Sequence, residues 1–159
     1  MQIEFTIAGD PQGQGRPRFA RQGKFVHTYD PPKSKEYKAK VAQSFQRAYM
    51  GKPLTKPVKI TIRAVFGVPK SYSKARTKAC LQGLEWPTKK PDTDNIEKGV
   101  YDALNGLAYE DDKQIVMTNT VKVYGPEARV EVVIEQSYRI SECDGHKTRC
   151  FWLLSEQTV

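Results

Sequence analysis

PDTDNIEKGVYDALNGLAYEDD, residues 91–112, is the stretch that decides how this chain folds. Ile96, Val100, Ala103, Leu104 and Leu107 recur at helical spacing and give one apolar face. Asp94, Lys98 and Asp102 stand four apart on another face. Asp94 is placed as the N-cap, because its carboxylate can accept a free backbone N–H of the first turn. Glu97 follows three residues later, in the manner of a capping box. Gly106 marks the stop. Upstream, residues 58–68 alternate Val58, Ile60, Ile62, Ala64 and Phe66 with mostly polar neighbours, the period of a half-buried strand. Downstream, residues 114–124 and 128–136 are predicted as two strands joined at Gly125–Pro126, a hairpin. Nearer the N-terminus, residues 2–8 alternate Ile3, Phe5 and Ile7 with polar residues. Tyr37, Val41, Phe45 and Tyr49 predict a helix over 33–50, ended by Gly51 and Pro53. Residues 10–30 are predicted as an irregular basic loop with a short strand at 24–28, and residues 74–84 as partly helical. The fold class is therefore α+β: a small mixed β-sheet with flanking helices, in a single domain.

Charge is distributed unevenly. Residues 91–112 carry seven acids, Asp92, Asp94, Glu97, Asp102, Glu110, Asp111 and Asp112, against one lysine, Lys98. The preceding 90 residues carry nineteen Lys and Arg against five acids. The whole chain of 159 residues has a net charge of +8 and a pI near 9.4. Such a balance points to an anionic partner, as in nucleic-acid binders. No run approaches the length of a transmembrane helix, and MQIEFTIAGD lacks the pattern of a secretory signal. Cys80, Cys143 and Cys150 make an odd count without a dense framework, so free thiols and a cytoplasmic location are expected.

Acid crowded into a cationic chain calls for a counter-charge, and a divalent metal is the natural one. Mg²⁺ takes hard oxygen ligands, typically one or two carboxylates plus substrate phosphate oxygens. Asp92 and Asp94 are spaced for this if the chain kinks before the helix, and Asn95 can orient either carboxylate. Lys98, one turn along, can reach a phosphate or a carboxylate. An EF-hand loop starting at Asp92 would need Gly at its sixth position and Glu at its twelfth; Glu97 and Ala103 stand there instead. A zinc site would need His or Cys, and the island has neither. The plainer alternative is that these acids cap a helix, pair with Lys98 and face solvent.

The pattern D-x-D-N-x-x-K, then D-A-L, then D-D-x-Q-I, over residues 91–115, resembles that of the RusA-type Holliday junction resolvases. The likeness extends more loosely to GRPRF at 15–19 and YDPPKSKEY at 29–37, and covers about residues 1–136. It divides the chain into a nuclease domain, 1–136, and a C-terminal extension, 137–159. It implies a Mg²⁺-dependent crossover junction endodeoxyribonuclease, with Mn²⁺ as a substitute, acting as a homodimer on four-way branched DNA in recombination and repair. By motif position the metal-binding aspartates fall on Asp92, Asp94 and Asp112, with Asp111 a further candidate, and the catalytic lysine falls on Lys98. The gap between D-A-L and D-D is one residue shorter than the familiar form.

This assignment makes a geometric demand. A helix over 95–106 is about 18 Å long, so Asp112 must fold back to the D-x-D end or come from a second subunit. DNA-binding candidates are Arg16, Arg18, Arg21 and Lys24 in the loop, with Lys70, Lys74, Arg76, Lys78, Lys89 and Lys90 near the acids. His27 and His146 are isolated and are read as bystanders. Cys143, His146 and Cys150 are one ligand short of a closed zinc site, and Trp152 and Leu153 are read as packing residues. The competing functions are a non-catalytic nucleic-acid-binding module, a small structural or assembly protein, and a metal nuclease for other branched DNA.

Overall fold

Strand β1 (Gln2–Ala8) buries Ile3, Phe5 and Ile7 and exposes the residues between them. The computed structural model describes residues 1–15, 18–22, 25–29 and 31–136. The tail with Cys143, His146, Cys150, Trp152 and Leu153 lies outside the described residues. Strand β4 (Val58–Gly67) turns Val58, Ile60, Ile62 and Ala64 into the core and buries Val65 and Phe66 as well. Strands β5 (Ile115–Gly125) and β6 (Arg129–Gln136) complete a four-stranded sheet in the order β1-β6-β4-β5. β6 is antiparallel to both β1 and β4, whereas β5 runs parallel to β4.

The hairpin expected between β5 and β6 does not form. The two strands lie on opposite sides of β4, and the turn after Gly125 steps over the end of β4, where Gly67 pairs with Gly125 and Val65 with Arg129. β4 is buried along most of its length, so it gains most from a neighbour on each side. Alternation locates a strand but does not choose its partner.

Helix α1 (Pro32–Ala48) starts with proline in its first turn, where the missing N–H costs nothing, and buries Tyr37, Val41 and Phe45. Phe45 meets Phe5 edge-on at 5.6 Å, which seats α1 over β1. Helix α2 (Lys74–Leu81) is capped by the Ser73 hydroxyl, which accepts the Arg76 N–H at 3.3 Å, and lies against β5. Helix α3 (Thr93–Leu104) packs beside α1 and over β5, burying Ile96, Val100, Ala103 and Leu104. α3 begins earlier than the capping pattern suggested. Asp92, extended at φ −74° and ψ 156°, is its N-cap, and the Ile96 N–H closes on the Asp92 carbonyl at 3.1 Å. Asp94 therefore sits inside the first turn, and no Asp94–Glu97 capping box exists.

The basic segment before α1 is also more regular than its composition suggests. β2 (Arg18–Gln22) and β3 (Phe25–Tyr29) form a separate antiparallel ribbon. The apolar residues of β2, Phe19 and Ala20, stand side by side in RFARQ, so the strand offers no alternation to read. Among the described residues this is a mixed α+β fold with one four-stranded sheet, one ribbon and three α-helices, in a single domain.

Candidate active site

Asp92 and Asp94 stand exposed at the start of α3. A helix N-terminus carries unpaired N–H groups and a partial positive charge, which favours carboxylates there. The segment leading in is fixed from two sides. The Lys90–Pro91 peptide is cis, and the Lys122 ammonium on β5 donates to the Lys89 carbonyl at 2.6 Å. On the other side the loop of residues 11–15 lies against α3. Gln14 N–H donates to the Asn95 carbonyl at 2.8 Å, and Gly15 N–H donates to the buried Ser34 hydroxyl at 3.2 Å. A Cβ on Gly13 would stand 2.9 Å from both Asn95 Cβ and Pro91 Cβ, so only glycine allows this approach. The result is a cleft of about 630 Å³ with Lys33, Ser34, Lys90, Asp92 and Asn95 among its walls. Gly13, Lys33 and Ser34 were not singled out from sequence; the available signal was the GQG and DPPKSKE runs flanking the basic segment.

Lys98 is exposed one turn beyond Asp94, on the same side of α3. Asp102, the next residue on that line, pairs with Lys38 of α1 at 3.1 Å and not with Lys98. Lys70, Lys74, Lys78, Lys89 and Lys90 are exposed. Arg76 is engaged within the fold: it stacks on Tyr72 at 3.8 Å and pairs with Glu85 at 2.9 Å. Arg16 and Lys24 lie outside the described residues, and Arg18, Arg21 and His27 are described as backbone of the ribbon only.

The second acidic pair divides into two environments. Asp111 caps a 3₁₀ turn (Asp112–Gln114): its carboxylate accepts the Lys113 N–H at 3.0 Å, and the Gln114 side chain accepts the Asp111 N–H at 3.0 Å. The Lys113 N–H is the main cause that holds the Asp111 carboxyl below its ordinary range. Gln114 also donates to the Leu54 carbonyl at 2.9 Å, tying the turn to the chain before β4. Asp112 is exposed beside it. Nearby, burial pushes the Tyr101 hydroxyl up to about 12, so it stays protonated at neutral pH.

Asp112 and the D-x-D pair occupy opposite ends of one layer. Asp92 follows shortly after Lys89, whose carbonyl is bonded to Lys122 near the end of β5, whereas Asp112 precedes the start of β5. The seven steps from Ile115 to Lys122 span about 23 Å of extended strand. Accordingly, no group of three His, Cys, Asp or Glu side chains able to hold a metal ion is found among the described residues of one chain.

The family model described as "Endodeoxyribonuclease RusA" matches residues 8–135. This chain belongs to the RusA endodeoxyribonuclease family. The RusA match encloses the D-x-D pair, Lys98 and the second acidic pair, along with β4, β5 and all of β6 but Gln136. The chain is also 43% identical over 136 residues to "Uncharacterized protein YqaN" of Bacillus subtilis (strain 168), across 84% of this chain and 96% of that protein. Among the described residues, no helix is long and apolar enough to cross a membrane.

Proposed function

We propose that this RusA-family protein is a Mg²⁺-dependent endonuclease that resolves four-way DNA junctions by paired, symmetrical nicks. The observation that carries this is the exposed Asp92–Asp94 pair at the N-terminus of α3, held beside Lys90 and the glycine loop. Two hard carboxylates on a fixed turn suit a small divalent cation and leave room for phosphate oxygens. The homodimer is part of the same reading. Asp112 stands at the far end of β5, so a two-fold partner is the direct way to bring a third carboxylate to the pair. Each site would then take Asp92, Asp94 and Lys98 from one chain and Asp112 from the other, with Asp111 serving as the cap that orients Asp112.

The divalent ion, when bound, supplies Lewis-acid polarisation of the phosphate and acidification of water. The remaining work falls to the chain itself. Asp92 and Asp94 would hold that ion, and Asn95 beside them would orient their carboxylates. Lys98 offers a cation to the charge that develops on the non-bridging oxygens as water attacks and the 3′-oxygen departs. The lysines at 70, 74, 78, 89 and 90, with the arginines of the ribbon segment, hold the arms through phosphates without reading bases.

The test uses a labelled four-way junction with purified protein, with and without Mg²⁺. Symmetrical paired nicks are expected only with the metal, and equal-length linear or flap DNA is expected to stay intact. Asp94→Asn should bind the junction normally and nick it at least about 100-fold more slowly. A protein that binds junctions but never nicks them with Mg²⁺ or Mn²⁺ would instead be a binding module.

A further inference from the structure

From the end of α2 to the segment entering Asp92, the chain presents large apolar side chains to solvent. Leu81 is 49% exposed, Leu84 73% and Trp86 60%. A tryptophan left in water forgoes a large apolar burial, and apolar residues gathered in one exposed patch mark a contact surface. This patch is displayed on a built turn. The Gln82 and Leu84 N–H groups donate to the Lys78 and Ala79 carbonyls, each at 3.0 Å, and Gly83 between them takes φ +76°. Arg76 holds Glu85 at 2.9 Å while stacked on Tyr72, and Tyr72 meets Tyr124 of β5 at 6.4 Å. Pro87 is buried. The residues on both sides of Trp86 are therefore fixed to the fold, and Trp86 itself borders a cavity of about 260 Å³ with Cys80, Val123 and Tyr124.

The charge around the patch selects its occupant. Lys74, Lys78, Lys89 and Lys90 are exposed, and among the described residues none of them is paired with a carboxylate. Glu85, the one acid between Lys70 and Pro91, is taken by Arg76. A groove of about 360 Å³ along α2, with Tyr72, Lys74, Lys78 and Leu81 among its walls, mixes apolar and cationic residues in the same way. Flat apolar faces framed by phosphates are what unstacked nucleic-acid bases present. Position agrees with charge: the Lys122–Lys89 bond ties the segment after Trp86 to the end of β5 that leads into Asp92.

We propose that Trp86 stacks on a base left with an open face at the branch point, and that this contact is how the protein tells a junction from a plain duplex. The proposal rests on the nuclease reading above and deepens it by naming the feature of the substrate that is recognised. Six residues carry the chain from Trp86 to Asp92, a reach of at most about 20 Å, or about six base-pair steps of duplex. A base inside a continuous duplex has both faces covered and must be extruded before it can stack on a side chain. A base at a strand exchange has lost a neighbour and costs least to engage. The lysines flanking Trp86 bind phosphates of any DNA, which gives affinity without that choice.

The test is a binding measurement in EDTA, so it does not depend on nicking. Trp152→Phe leaves Trp86 as the one tryptophan of the chain. Titration with a four-way junction should quench its fluorescence and shield it from acrylamide, whereas an equal-length linear duplex should leave it accessible. Trp86→Ala should weaken junction binding about 5- to 150-fold, the usual worth of one base–aromatic stack, and leave duplex binding unchanged, which also shows that the variant is folded. Trp86→Phe should recover most of the loss. The proposal is overturned if Trp86→Ala keeps the wild-type ratio of junction to duplex affinity, or if the duplex quenches Trp86 as strongly as the junction does. It is equally overturned if Trp86→Ala alters self-association in sedimentation and not junction selectivity, or if anionic phospholipid vesicles shield Trp86 and the junction does not. A protein that discriminates through Trp86 yet never nicks with Mg²⁺ would retain the stacking contact and lose the nuclease reading; one that nicks junctions as selectively with Trp86→Ala would do the reverse.

Discussion

Two adjacent aspartates of one charge and one loop are assigned different work by what their oxygens touch. Asp111 accepts the Lys113 N–H and belongs to a capping box with Gln114; Asp112 next to it faces solvent. Asp112→Asn should therefore abolish nicking while leaving thermal stability unchanged, whereas Asp111→Ala should lower the melting temperature. The pH dependence of that second effect has a fixed sign. A carboxyl held below its ordinary range in the folded state stabilises the fold while ionised. Its contribution is complete above the unfolded-state carboxylate range and is lost as pH falls through the depressed folded value. The melting difference between wild type and Asp111→Ala should thus be full at neutral pH, shrink as pH falls through the ordinary carboxylate range, and close below the depressed folded value. A difference that closed at neutral or alkaline pH would contradict the assignment.

At the scale of elements, α1 and α3 depend on different kinds of packing. Phe45 is 2% exposed and meets Phe5 and Tyr49, so Phe45→Ala should cost about 3–5 kcal/mol in denaturant unfolding. Gly13→Ala adds only one methyl group, yet that carbon has no room against Asn95 and Pro91. It should cost about 1–3 kcal/mol and slow nicking more than it weakens junction binding, since it displaces the D-x-D turn. These elements were legible in the sequence to unequal degrees. Helical spacing marked Tyr37, Val41 and Phe45 and the apolar face of α3, alternation marked β1 and β4, and the Gly125–Pro126 turn set apart β5 and β6. The pairing of β5 with β4 was not legible, because two strands separated by a Gly-Pro turn look the same whether or not a third lies between them. The start of α3 shifted because Asp92 and Asp94 are both acceptable caps by type, and only the extended backbone at Asp92 separates them. The contact of the glycine loop with Asn95 is a tertiary fact with no periodic signal.

For the whole molecule, the acids matter because of what surrounds them. With seven of the eighteen acids in residues 91–112, the rest of the chain carries 25 Lys and Arg against 11 acids, a net +14. Junction affinity should fall linearly with salt on logarithmic axes, by about 10³–10⁵ between 50 and 200 mM if six to ten phosphates are neutralised. A shallow slope would mean that few of the candidate lysines and arginines touch DNA. The candidate site residues stand out in the sequence as types, but a linear sequence does not say that β5 lies between Asp112 and the Asp92–Asp94 end. The central claim is that carboxylates from two chains make one site. It is tested most directly by mixing Asp94→Asn with Asp112→Asn, each inactive alone, under conditions that allow subunits to exchange. If the site is shared, half of the dimers are mixed and each carries one intact site, so nicking should return to about a quarter of the wild-type rate, as single and not paired cuts. A mixture as inactive as either variant alone, with exchange demonstrated, would contradict it.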